Sequence, residues 1–129
     1  RHWSMPFLNP PSFLEEKINN CCKKFKVDVY KGNRMSHLLS TNSNKGKAIN
    51  ILKQYSNIQN IQIIGLGDSP NDLPLLLNSD IRVVIPGIDG PNLNLLDQLK
   101  DLEFTLASEP NGHGWKNEIN KLINNLELK

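Results

Sequence analysis

Residues 61–76 read IQIIGLGDSPNDLPLL: an apolar run, Ile61–Gly67, followed by Asp68-Ser69-Pro70-Asn71-Asp72 and then by a second apolar run. The first run reads as a buried strand. Pro70 stands where the first turn of a helix tolerates proline, so the spacing predicts a short helix over 70–79. A strand that turns into a helix belongs to an α/β sheet, and ligands of such sheets collect at the carboxyl ends of the strands. Asp68 stands at such an end and Asp72 follows one helical turn later. Mg²⁺ takes oxygen ligands, usually one or two carboxylates together with waters and substrate phosphate, and this pair suits it. Asn71 adds a group that donates and accepts hydrogen bonds. The N–H groups and positive dipole end of the helix from Pro70 would face the same space. The residues alone equally fit a plainer role, in which Asp68 or Ser69 caps the helix.

Around this stretch helix and strand alternate. KGKAINILKQYS (45–56) carries Ala48, Ile49, Leu52 and Tyr55 at helical spacing. IRVVIPG (81–87) and EFTLAS (103–108) read as strands, NLNLLDQLK (92–100) as a helix. GWKNEINKLINNLEL (114–128) reads as a closing helix with Trp115, Ile119, Leu122, Ile123 and Leu126 on its apolar side, Trp115 as core packing. This order predicts a mostly parallel sheet of about three strands with helices on both faces. Upstream, residues 1–11 are extended and Pro-rich, and SFLEEKINNCCKKF (12–25) reads as a helix with a Ser12–Glu15 capping box. KVDVYKG and RMSHLLS read as a hairpin around Lys31-Gly32-Asn33. TNSN (41–44) is a polar joint, taken as the boundary between units 1–41 and 42–129.

The chain has 129 residues and a formal charge of +2, with its lysines dispersed, which gives no case for a nucleic-acid partner. No apolar run reaches the length of a membrane span, and the start shows no signal-peptide pattern, so the expected location is cytoplasmic. Cys21 and Cys22 are adjacent and read as reduced thiols. His2 and His113 have no zinc-ligand partners at the right spacing.

GLGDSPNDLPLL (65–76) resembles the fourth motif of the haloacid dehalogenase superfamily of phosphohydrolases. SNKGKAINIL (43–52) resembles the third, in which a Lys precedes a Gly at a helix start; that Lys is Lys45, and Lys47 stays a surface residue. DSPND (68–72), GNRMSHL (32–38) and RHWSMPF (1–7), in which Met5 stands for a Glu, are similar to segments of the mannosyl-3-phosphoglycerate phosphatases. NGHGW (111–115) is similar to a Gly-x-x-Gly-Trp segment before the last helix. The resemblance implies a partial Rossmann-like parallel sheet of a haloacid dehalogenase core, preceded by the end of an α+β cap. It also implies a Mg²⁺-dependent phosphatase acting on a glycosyl-3-phosphoglycerate. Asp68 and Asp72 would serve the metal, Lys45 would neutralise charge, and Asn71 would orient phosphate or Lys45. Ser69, Arg34 and His37 would contact substrate, with a cation at the cap pairing the glycerate carboxylate. Arg34 and His37 lie three apart and so would point to opposite faces of a regular strand.

In that family an Asp nucleophile forms an aspartyl-phosphate, and a second Asp two residues later serves as acid and base. This chain holds no Asp-x-Asp; Asp89 in GIDGPN is the nearest string. It therefore reads as the second half of such an enzyme, expected to pair with an N-terminal half or with a second copy. The alternatives are a phosphatase for another sugar phosphate, and a non-catalytic fragment.

Overall fold

The computed structural model describes residues 4–41, 43–55 and 61–127. Arg1, His2, Asn42, Ser56, Leu128 and the side chain of Leu126, which the sequence reading used, lie outside the described residues. The chain forms two sheets. The first is antiparallel, in the order β1-β3-β2, from β1 (Met5–Leu8), β2 (Val27–Lys31) and β3 (Met35–Ser40). Helix α1 (Ser12–Lys24) lies against β2. The hairpin forms as its residues predict, with Tyr30 directly opposite His37 and Val27 opposite Ser40. The extended start supplies a third strand, β1, which pairs with β3.

The capping box does not form. Ser12 is already helical, Pro11 precedes it, and the Leu14 N–H donates to the Pro11 carbonyl at 2.9 Å. Glu15 instead pairs with Lys31 on β2. The helix starts one position early because proline ahead of it presets an extended entry and offers a carbonyl to the first turn.

The second sheet is parallel, in the order β4-β5-β6: β4 (Ile64–Gly67), β5 (Ile81–Val84) and β6 (Thr105–Leu106). Parallel strands are covered on both faces. On one face Leu76 of α3 (Leu73–Leu77) and Leu95 and Leu99 of α4 (Leu93–Leu99) bury against Val84. On the other, Leu122 of α5 (Asn111–Glu127) packs on Val83, Ile85 and Ala107. Asn92 caps α4 by accepting from the Leu95 N–H at 3.1 Å. Helix α2 (Lys45–Tyr55) lies against α3. Among the described residues no helix is long and apolar enough to cross a membrane.

The helix predicted over 70–79 is shorter than its spacing suggests. Pro70–Asp72 is a 3₁₀ turn and only Leu73–Leu77 is α-helical. Pro74 has no N–H to give the Pro70 carbonyl four residues back, so the Leu73 N–H takes that carbonyl and the turn tightens.

Candidate active site

At the carboxyl end of β4 the chain turns back on itself. A Cβ on Gly67 would lie 2.5 Å from Asp72 Cβ, so only glycine lets Asp72 fold beneath the strand end. Asp72 is buried there, and its Oδ2 accepts from the Asp68 N–H at 3.2 Å. Its Oδ1 takes the Lys45 ammonium. Neither Asp68 nor Ser69 caps the helix: the N-cap positions, Ser69 and Asp72, accept no side-chain cap hydrogen bond. The capping alternative therefore falls. A five-residue helix also brings little dipole to the site, contrary to the expectation.

Lys45 reaches Asp72 because Gly46 lets α2 approach α3 closely. A Cβ at residue 46 would sit 2.2 Å from the Pro74 carbonyl oxygen. Gly46→Ala is therefore expected to cost about 1–3 kcal/mol of stability as overpacking, and to draw Lys45 away from Asp72. Chemical denaturation against Lys47→Ala, an exposed control on the same turn, measures this; equal midpoints would mean that the contact is slack.

Asp68 keeps a solvent-facing side, with Oδ2 accepting from Asn33 Nδ2 at 3.1 Å and Oδ1 lying 3.3 Å from Ser69 Oγ. Partial burial, and then the neighbouring Asp72 carboxylate, push the Asp68 carboxyl above the ordinary carboxylate range. A native pKa above the unfolded one means that the folded chain holds its proton longer. The stability tied to that proton is then present in acid and lost as pH rises through the native pKa. Without divalent cations, Asp68's own contribution to stability should shrink as pH rises through its native pKa, and Asp68→Asn should remove that component of the pH profile. Urea melts across pH, compared between the two proteins, check it; parallel profiles would remove Asp68 as the cause.

Among the described residues no three His, Cys, Asp or Glu side chains gather to hold a metal ion. The donor set is one accessible carboxylate, Asp68, with a second, Asp72, engaged behind it. That does not suit zinc, which wants three or four protein ligands. It fits Mg²⁺, which keeps waters and takes few protein ligands.

Two cavities meet at Lys45. An open cleft of about 390 Å³ is lined by Lys45, Asp68, Asp72, Leu66, Asn111 and Trp115. A narrower cavity of about 200 Å³, between the two sheets, is lined by Tyr30, His37, Leu39, Asn44, Lys45 and Asn71. Trp115 is 51% exposed and forms a cleft wall, so it is not the core residue the helical stripe suggests. Ser69 is buried and donates to Asn71 Oδ1 at 2.6 Å, holding that side chain in place. His37 lines the second cavity. Arg34 lies in the bend before β3, outside any strand, exposed and on neither wall, so alternation along a strand does not govern where it points.

Sequence reasoning passed over Asn33, Tyr30 and Asn44. Asn33 ties the first sheet to the strand end through Asp68, and also accepts from Asn92 Nδ2 at 2.7 Å. No sequence signal announces a contact of that range. Tyr30 was legible as the residue across the hairpin from His37, and Asn44 as the N-cap type just before Lys45.

Residues 8–86 match the family model described as haloacid dehalogenase-like hydrolase. The chain is 30% identical over 132 aligned residues to the glucosyl-3-phosphoglycerate/mannosyl-3-phosphoglycerate phosphatase of Persephonella marina, covering 98% of this chain and 47% of that protein. It is 23% identical to the phosphoglycolate phosphatase of Methanothermobacter thermautotrophicus, over 84% of this chain and 46% of that one. The fold superposes on the sucrose-phosphatase of Synechocystis sp. PCC6803 with a TM-score of 0.73 at 22% identity, covering 94% of this chain and 52% of that one. The chain thus spans about half the length of the curated relatives it matches.

Proposed function

The chain belongs to the haloacid dehalogenase-like hydrolases, and from that premise we propose that it forms the phosphate- and metal-binding half of a Mg²⁺-dependent phosphatase for glycosyl-3-phosphoglycerates. One observation carries the reading: Lys45 and Asp72, from two separate segments, pair at the carboxyl end of β4 beside Asp68. Residues 1–41 serve as the end of the cap and 42–129 as the core.

Each residue then has a task its geometry supports. Asp68 holds Mg²⁺, with Asp72 fixing the turn behind it. The ion, when bound, supplies positive charge that neutralises the phosphate and the attacking group. Lys45, oriented by Asp72, places a cation at the mouth of the cleft for phosphate oxygens. Asn71, held by Ser69, aims its amide toward the space beside Lys45.

The relatives' names share a feature: glycosyl-3-phosphoglycerate and phosphoglycolate are both phosphate esters of a short carboxylic acid. In the complete enzyme, kcat/KM for mannosyl-3-phosphoglycerate should exceed that for p-nitrophenyl phosphate by at least about tenfold, ~1.4 kcal/mol. Turnover should disappear in EDTA and return with Mg²⁺. Equal use of sugar phosphates that carry no carboxylate would favour a general sugar-phosphate phosphatase instead.

A further inference from the structure

We infer that Asn33 is a positioning residue for the cation site: its side-chain amide, carried by the turn between β2 and β3, holds the Asp68 carboxylate in place for Mg²⁺ and so ties cation binding to the docking of the first sheet on the second. The inference rests on the reading of Asp68 as the metal carboxylate and adds to it the group that orients that carboxylate.

Ser69 lies beside Asp68, but its single hydroxyl proton goes to Asn71 Oδ1 at 2.6 Å. Among the described residues Asn33 Nδ2, 3.1 Å from Asp68 Oδ2, is then the side-chain donor that remains for that carboxylate. Helix α4 decides which end of the Asn33 amide faces Asp68. Asn92 Oδ1 caps that helix by accepting from the Leu95 N–H at 3.1 Å, so Asn92 turns its Nδ2 the other way. That group donates to Asn33 Oδ1 at 2.7 Å and leaves the Asn33 donor for Asp68. A flipped Asn33 would set donor against donor at Asn92 and oxygen against oxygen at Asp68.

The turn that carries Asn33 is itself held. Asn9 Nδ2 donates to the Gly32 carbonyl at 3.0 Å and to the Asn33 carbonyl at 3.3 Å. Buried Ser36 fixes Asn9 by donating to its Oδ1 at 2.8 Å. The Gly32 N–H closes the turn on the Met35 carbonyl at 2.9 Å, and β2 lies against the Pro70–Asp72 turn. A carboxylate oriented before the cation arrives surrenders less freedom on binding. Hydrogen-bond partners behind a metal ligand are worth about ten- to a hundredfold in affinity. The coupling is reciprocal: what the docked turn adds to cation affinity, the bound cation returns to docking of the turn.

The test titrates Mg²⁺ into the metal-free complete enzyme by calorimetry, with melting temperatures in EDTA alongside. Asn33→Ala should weaken Mg²⁺ binding by about ten- to a hundredfold. Alanine can take the turn, because the backbone at Asn33 is not left-handed. Asn92→Ser keeps a capping hydroxyl for α4 but is too short to hold Asn33. It should weaken binding in the same sense, by about two- to tenfold, and it decides if Asn33→Ala does not fold. Hydrogen exchange at the amides of residues 32–36 should slow when Mg²⁺ is added to wild type and not when it is added to Asn33→Ala. A residue that only braces the turn would lower the melting temperature and leave the affinity as it is. That result, tighter binding by the variants, or wild-type exchange indifferent to Mg²⁺ overturns the positioning role alone. Wild type that takes up no Mg²⁺ overturns the metal reading and the positioning role with it.

Discussion

In the complete enzyme, Asp68→Asn is expected to remove Mg²⁺-dependent phosphate release, by about 10³-fold or more, ~4 kcal/mol of transition-state stabilisation. The substitution keeps the shape and one of the two acceptor oxygens, that facing Asn33 or that facing Ser69. It deletes the charge a hard cation needs. The fold should survive it, because Asp68 is the accessible carboxylate and its charge opposes that of Asp72. Asp72→Asn should behave differently. Asp72 is buried and holds both the Lys45 ammonium and the Asp68 N–H, so that variant loses stability together with activity. Melting curves and phosphate release measured on both variants separate the two roles. A folded Asp68→Asn enzyme turning over at the wild-type rate would sink the metal assignment.

What the sequence discloses and what it hides follow from the range of the interactions. Alternation of helix and strand after residue 44 is a local periodicity, and the parallel sheet with helices on both faces appears where that periodicity places it. The hairpin is equally local, since Gly32 and the flanking β-formers set its register. Misreadings arise where a neighbour distant in sequence, or a second proline, takes over. Glu15 abandons its own helix start for Lys31. Pro74 converts the first turn of a predicted helix into a 3₁₀ turn. Trp115 has the spacing of a core residue but lies where α5 overhangs the cleft. For the site, a Lys-Gly pair and a cluster of oxygen groups are visible as strings. That the two meet depends on Gly46 seating α2 on the Pro74 carbonyl, which spacing does not encode.

The 129 residues alone are expected to release no phosphate from any ester, and to self-associate or to pair with the polypeptide that supplies the rest of the fold. The chemical reason is the missing nucleophile. The carboxylates of the cleft are Asp68 and Asp72. Asp72 is held by Lys45, and Asp68 stands where the cation is needed. The structural reason is the edge of the sheet. Among the described residues β4, the strand that ends on the site, has a neighbour on one side only. An unpaired edge offers its N–H and C=O groups to another strand. Apolar surface is uncovered as well: on α2, Leu52 is 56% and Tyr55 82% exposed, and Trp115 stands open in the cleft. A strand paired with β4 lies about 5 Å from it, so a carboxylate at its end would come to rest beside Asp68. Supplying the N-terminal half in trans should therefore restore turnover and make the assembly monodisperse. Light scattering and a phosphate-release assay, run on the chain alone and then on the mixture, give the answer. Robust turnover by a monodisperse monomer would overturn the mechanism, because an Asp68 committed to the cation and an Asp72 committed to Lys45 leave no carboxylate in the cleft to attack phosphorus.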